Sequence, residues 1–139
     1  MIAGIDPDVD KSGLATIESK EVKLMNLTFF ELFDFLKENR PLLVVIEGGW
    51  LNKGNWHKDE DGTAAVNAAI GNNTGRNHET GRKIVEMLIY LEIPHKVTKP
   101  TTSKVNARLF KMITGIKIRT NQEQRDAYML IHNIKIKKK

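Results

Sequence analysis

The chain contains no cysteine. Disulfide bridges and thiolate zinc sites are therefore excluded. It has no apolar run near the ~20 residues that a membrane-spanning helix requires. Its N-terminus lacks the basic start and long apolar segment of a signal peptide. Internal repeats, low-complexity tracts and an interdomain linker are also missing. These absences point to a cytoplasmic protein with no membrane partner. With 139 residues, the expectation is one domain (1–139) around one core. Hydrophobic content is 40% and charged content 28%, ordinary proportions for a globular protein. The formal net charge is +5. A basic balance favours polyanionic partners, although it says nothing of the fold.

The pattern of apolar residues predicts a mixed sheet flanked by helices. Ile2 to Asp6 is a short apolar run stopped by Pro7. Asp8, Asp10, Lys11, Ser12 and Gly13 supply turn chemistry, and Leu14 to Glu18 reads as a returning strand. Val22 to Met25 reads as a third strand, so the chain opens with an antiparallel meander. Thr28 and Glu31 form a capping-box pair ahead of Phe29, Leu32, Phe33 and Leu36 at helical spacing. Pro41 follows that helix. Leu42 to Ile46 is aliphatic without alternation, as in a buried parallel strand. Residues 48–75 are rich in glycine and asparagine and hold both tryptophans. They read as a long loop with a short helical turn from Ala64 to Ile70. A strong helix is expected over 77–91, with Ile84, Met87, Leu88 and Leu91 on one face. Pro94 to Thr98 reads as a strand. Thr101 to Ile113 reads as a helix capped by Thr or Ser and ended by Gly115. The last helix starts near Asn121 and turns Ala127, Leu130 and Ile131 inward.

Four carboxylates fall at element ends or on one helix face. Asp6 and Glu47 each close an apolar strand, and Glu123 and Asp126 lie three apart in the last helix. Acids gathered this way repel one another unless cations occupy the cluster. Two Mg²⁺ ions about 4 Å apart can hold an attacking water and a leaving oxygen in phosphodiester hydrolysis, and Mg²⁺ prefers carboxylate oxygens. Each acid also has an ordinary structural role open to it. Asp6 can make a turn hydrogen bond, Glu47 can end a strand in solvent, and Glu123 and Asp126 suit the first turns of a helix.

The stretch Ile2-Ala3-Gly4-Ile5-Asp6-Pro7, with Ser12-Gly13-Leu14-Ala15 behind it, resembles the opening of the RuvC-type Holliday junction resolvases, members of the ribonuclease H-like superfamily. Val44-Val45-Ile46-Glu47 is similar to their second acidic strand. Gln122-Glu123-Gln124-Arg125-Asp126-Ala127 is similar to their closing helix, and the segment from Gly75 to Arg82 to the start of their long central helix. The resemblance implies a ribonuclease H-like α/β fold: a five-stranded mixed sheet, three antiparallel strands first and parallel ones after, flanked by helices. It also implies a homodimeric endonuclease that nicks four-way DNA junctions with two Mg²⁺ ions per site, Mn²⁺ being the other candidate. Asp6, Glu47, Glu123 and Asp126 match the family's acids, with Glu123 where Asp is commoner. Asp8 replaces the glycine usual after the Asp-Pro pair. Trp50 falls where the family has an aromatic wedge, which opens the base stack to bend the DNA. Lys104 is the best match to a lysine that stabilises the scissile phosphate. The small size is compatible with phage-encoded relatives.

Arg76, Arg82, Lys83, Lys99, Lys104, Arg108, Lys111, Lys117 and Arg119 are candidate phosphate contacts. Trp56-His57-Lys58 and the lysine-rich tail from Lys135 are further candidates for touching DNA, and equally plain surface. Two other readings stay open. One is another ribonuclease H-like nuclease, acting on RNA·DNA hybrids, flaps or ribosomal RNA precursor. The other is a non-catalytic binder of branched DNA. An actin-like nucleotide-binding fragment lacks support, since no second glycine-rich phosphate loop follows Glu47.

Overall fold

The computed structural model describes residues 1–51, 64–101 and 103–135. Five strands form one sheet: β1 (Ile2–Asp6), β2 (Ser12–Glu18), β3 (Glu21–Leu27), β4 (Leu43–Glu47) and β5 (His95–Thr98), in the order β3-β2-β1-β4-β5. β1 and β2 pair antiparallel with Ile2 opposite Ile17 and Asp6 opposite Gly13, and β3 continues the meander. β4 runs parallel to both β1 and β5. This is the mixed sheet expected from the apolar pattern. It has an immediate consequence for chemistry. Because β1 and β4 are parallel neighbours, with Ile5 beside Ile46, the acids that follow each of those residues leave the sheet at the same end.

Helices cover both faces, which explains the lack of alternation in β1 and β4. On one face Ala3, Ile5, Leu14, Val44 and Ile46 pack with Leu32 and Leu36 of α1 (Phe29–Asn39) and with Ile84, Met87 and Leu88 of α2 (Ala64–Tyr90). On the other, Ile2, Ala15 and Val45 pack with Ala127 of α4 (Gln122–Met129) and with Ile131 beyond its end. Gly4 and Gly13 make that second layer possible. A Cβ on Gly4 would run into the Ala127 carbonyl, and one on Gly13 into the backbone of Glu123. The missing side chains let α4 lie directly on β1 and β2.

The capping box at α1 is present, with Thr28 N donating to Glu31 Oε1 at 2.9 Å and Glu31 N to Thr28 Oγ1 at 3.3 Å. Asn121 and Gln124 form a second one at α4. Two boundaries differ from expectation. The helix expected over 77–91 begins at Ala64, so the short helical turn expected over 64–70 and the loop expected over 71–76 are one helix with it. Glycine and asparagine lower intrinsic helicity, and a Cβ at Gly71 or Gly75 would meet nothing within 4 Å; tertiary contacts that hold α2 lie further along. Asn77 Oδ1 accepts from Val9 N at 3.0 Å, and Gly81 seats the Trp50 indole and the Pro7 ring. The helix expected from Thr101 is α3 (Ala107–Thr114), capped by Asn106. Before it, Lys104 and Val105 contact α4 instead. Gly115, at φ 72°, ends α3 as expected. Among the described residues no helix is long and apolar enough to cross a membrane.

Candidate metal centre

Three of the four predicted acids meet. Carboxylate oxygens of Asp6, Glu47 and Asp126 lie within 4.8 Å of one another. β1 and β4 deliver the first two side by side, and α4 lowers Asp126 onto them across the sheet. The side chains of Glu47 and Asp126 are only 13% and 11% exposed. Glu123 is not part of this trio; its charge is the weakest of the neighbouring influences on Asp6.

Lys104 is the cation of the cluster. Its Nζ donates to Asp126 Oδ2 at 2.9 Å and stands 3.7 Å from Glu47 Oε1. Burial disfavours its charge, but the hydrogen bond to Asp126 and the attraction of Glu47, Asp126 and Asp6 outweigh this and raise its pKa. Sequence reading placed Lys104 at a helix start. It lies instead in an irregular stretch before α3.

One lysine does not neutralise three acids. Burial, then repulsion from Glu47 and Asp126, pushes the Asp6 pKa from 3.8 to about 8. Burial is also the main cause raising Glu47, with Lys104 opposing and Asp126 adding to it. The cluster thus holds protons that a bound cation would replace. The donors are hard carboxylate oxygens on separate rigid elements, a set that fits a divalent ion such as Mg²⁺.

A cleft of about 190 Å³ opens beside the trio, lined by Asp6, Pro7, Glu47, Gly49, Trp50, Thr74, Asn77 and His78. Trp50, in a single 3₁₀ turn (Gly49–Leu51) after β4, is half-buried in its wall. Arg82 lies 5.8 Å over its ring, within cation–π range. His78 packs against Gly49, and burial lowers its pKa, with Arg82 adding to the effect.

The search of family models matches none to this sequence, and the search of curated proteins finds no match. Among solved structures the chain is similar to T. thermophilus RuvC in complex with a Holliday junction substrate. The TM-score is 0.57 at 14% identity, over 93% of this chain and 88% of that one. The chain has a RuvC-like fold. It is the ribonuclease H-like architecture, with three antiparallel strands followed by parallel ones. Within this fold, β1, β4 and α4 are the elements that carry the trio.

The predicted phosphate contacts Arg76, Arg82, Lys83, Lys99, Arg108, Lys111, Lys117 and Arg119 are all exposed. Two already have acidic partners on α2: Arg82 with Glu79 at 3.7 Å and Lys83 with Glu86 at 3.0 Å. Trp56-His57-Lys58 and most of the lysine tail lie outside the described residues. Sequence reading missed Gln122, whose Nε2 donates to Asp126 Oδ1 at 2.8 Å. The available signal was its position one helical turn before an acid already singled out.

Proposed function

We propose that the protein is a divalent-metal-dependent endonuclease that cuts four-way DNA junctions. The observation carrying this reading is the meeting of Asp6, Glu47 and Asp126 with Lys104 at one end of a RuvC-like sheet. The three carboxylates would hold Mg²⁺, with Glu123 at the rim as a further ligand. Two bound ions would supply an activated water and stabilise the leaving 3′-oxygen. Asp6 and Glu47 come from paired strands, so their separation is set by the sheet and varies little. Lys104 is half-exposed and faces both trio and solvent, which suits it to meet the scissile phosphate. Trp50 lines the cleft beside the acids, so a splayed branch point engaged by its indole would bring a phosphate to the site. The exposed basic residues would position the arms without reading sequence.

We further propose a single nuclease domain over residues 1–139, acting as a homodimer because a junction presents two symmetric strands to cut. Mn²⁺ is expected to substitute for Mg²⁺. The RuvC structure similar to this chain holds a Holliday junction, which supports the choice of substrate. The test uses a synthetic four-way junction. Wild-type protein with Mg²⁺ is expected to nick it, leaving 5′-phosphate and 3′-hydroxyl ends. Asp6→Asn is expected to bind it and to cut at least about 10²-fold more slowly. Preference for RNA·DNA hybrids or flaps would replace the junction with another ribonuclease H-like substrate. Binding without cleavage under any divalent ion would leave a branched-DNA binder.

A further inference from the structure

An arginine buried without an acid beside it is uncommon, because a desolvated guanidinium needs its donors matched. Arg125 is 8% exposed, and among the described residues its hydrogen-bond partners are all neutral oxygens. Its Nε donates to the Val105 carbonyl at 2.9 Å. Nη1 donates to the carbonyl and the hydroxyl of Thr120 at 3.0 Å each, and Nη2 to Gln122 Oε1 at 3.0 Å. Gln122 relays this fork toward the acids. Its Nε2 donates to the Val105 carbonyl at 3.2 Å and to Asp126 Oδ1 at 2.8 Å. Two donors from α4 therefore hold a single carbonyl.

That carbonyl belongs to the residue after Lys104, in a stretch (103–106) that is neither helix nor strand. Lys104 and Asp126 meet across 22 positions of sequence, so local backbone pairing does not set their approach. The bracket formed by Arg125 and Gln122 does. Its role is geometric, since the cation opposing the raised pKa values of Asp6 and Glu47 is Lys104. An arginine suits this task because its planar fork reaches four oxygens on three residues at fixed angles. A lysine presents one point of charge.

We propose that Arg125 is a positioning residue that, through the Val105 carbonyl and the Gln122 amide, sets Lys104 against Asp126. Its catalytic consequence rests on the nuclease reading above; its structural part rests on the hydrogen bonds alone.

The experiment compares full-length wild type, Arg125→Lys, Lys104→Ala and the double variant. Backbone amide order parameters over 103–107 report the bracket. Mg²⁺-dependent nicking of a four-way junction reports the lysine. Arg125→Lys is expected to lower these order parameters from rigid values to below about 0.6 while the centre of α4 keeps its own. It is expected to lower kcat by about 10²-fold with junction Kd within about twofold. In the Lys104→Ala background the same change is expected to cost less than about twofold more, because both act through one side chain. Unchanged order parameters over 103–107 would overturn the proposal, as would an equal loss of rate in the Lys104→Ala background. Should Arg125→Lys fail to fold, Gln122→Met removes the relay at similar length and is judged by the same outcomes. If wild type cuts no branched DNA, the nuclease reading fails and the order parameters alone decide the positioning role.

Discussion

Asp6 is where the chemistry of this protein concentrates. In the folded chain it keeps its proton to about pH 8, against 3.8 for an ordinary aspartate. Between those values the native state binds more protons than the unfolded state. Metal-free stability is therefore expected to fall as pH rises from about 4 to about 8 and to level off above that. Glu47 is raised as well and acts in the same direction. Asp6→Asn carries no charge to suppress, so its melting temperature is expected to change less over the same range. Mg²⁺ must displace those protons. It is expected to raise the wild-type melting temperature more at the alkaline end than the acid end, and to do little for Asp6→Asn. Thermal denaturation with and without Mg²⁺ checks both statements. A wild-type profile parallel to that of Asp6→Asn would remove the electrostatic account. Asp6, Glu47 and Asp126 were legible in the sequence because strand ends and helix faces are local properties. Which of Glu123 and Asp126 joins the strands was not, since both stand on the same side of an eight-residue helix. The choice falls on the one held by Gln122 and Lys104.

Among the elements, α2 shows how a neighbour overrides composition. Gly81 lowers helix propensity inside the expected helix 77–91, yet it is where Trp50 and Pro7 dock. Pro7 follows Asp6 and Trp50 follows Glu47 by three positions, so this contact braces both acid-bearing strand ends. Two effects oppose each other in Gly81→Ala. Helix propensity favours alanine by about 1 kcal/mol. The added methyl meets the indole, and overpacking typically costs about 1–3 kcal/mol. The second effect is expected to win, giving a net loss of up to about 2 kcal/mol in denaturant unfolding. Trp50→Ala in the same chain is expected to recover part of the loss attributable to Gly81→Ala, because it empties the space the methyl needs. A more stable Gly81→Ala would show that the indole moves freely. The late start of α3 follows the same logic in reverse. Residues 103–106 leave the helix because Val105 and Lys104 are claimed by α4. The capping box of α1, set by residues three apart, was legible in full.

At the scale of the molecule, acids are gathered at one sheet end while exposed cations spread over the surface. A net charge of +5 describes neither feature. Binding of four-way DNA is expected to weaken linearly in log Kd against log salt, with a slope that counts displaced phosphate counterions. Arg108→Ala and Lys111→Ala are each expected to lower that slope by about one while leaving sequence preference unchanged. Arg82 and Lys83 already hold Glu79 and Glu86, so their removal is expected to lower it less. Fluorescence titrations across a salt series measure all four variants. A salt-independent affinity would mean that phosphate neutralisation is not how the molecule engages DNA.

Alternation, caps and aliphatic runs act over a few residues, and they determined the antiparallel opening, the buried parallel strand, the helix starts at Thr28 and Asn121, and the four acids worth watching. The fold alone decided which acids touch, because a separation of a few ångströms between residues 6, 47 and 126 depends on strand order and on the glycines that let α4 approach. It alone brought Lys104 to Asp126 and turned Gln122 and Arg125 inward, contacts between segments that no local spacing relates. Local patterns encode which face a side chain takes; packing of distant segments sets what that face meets.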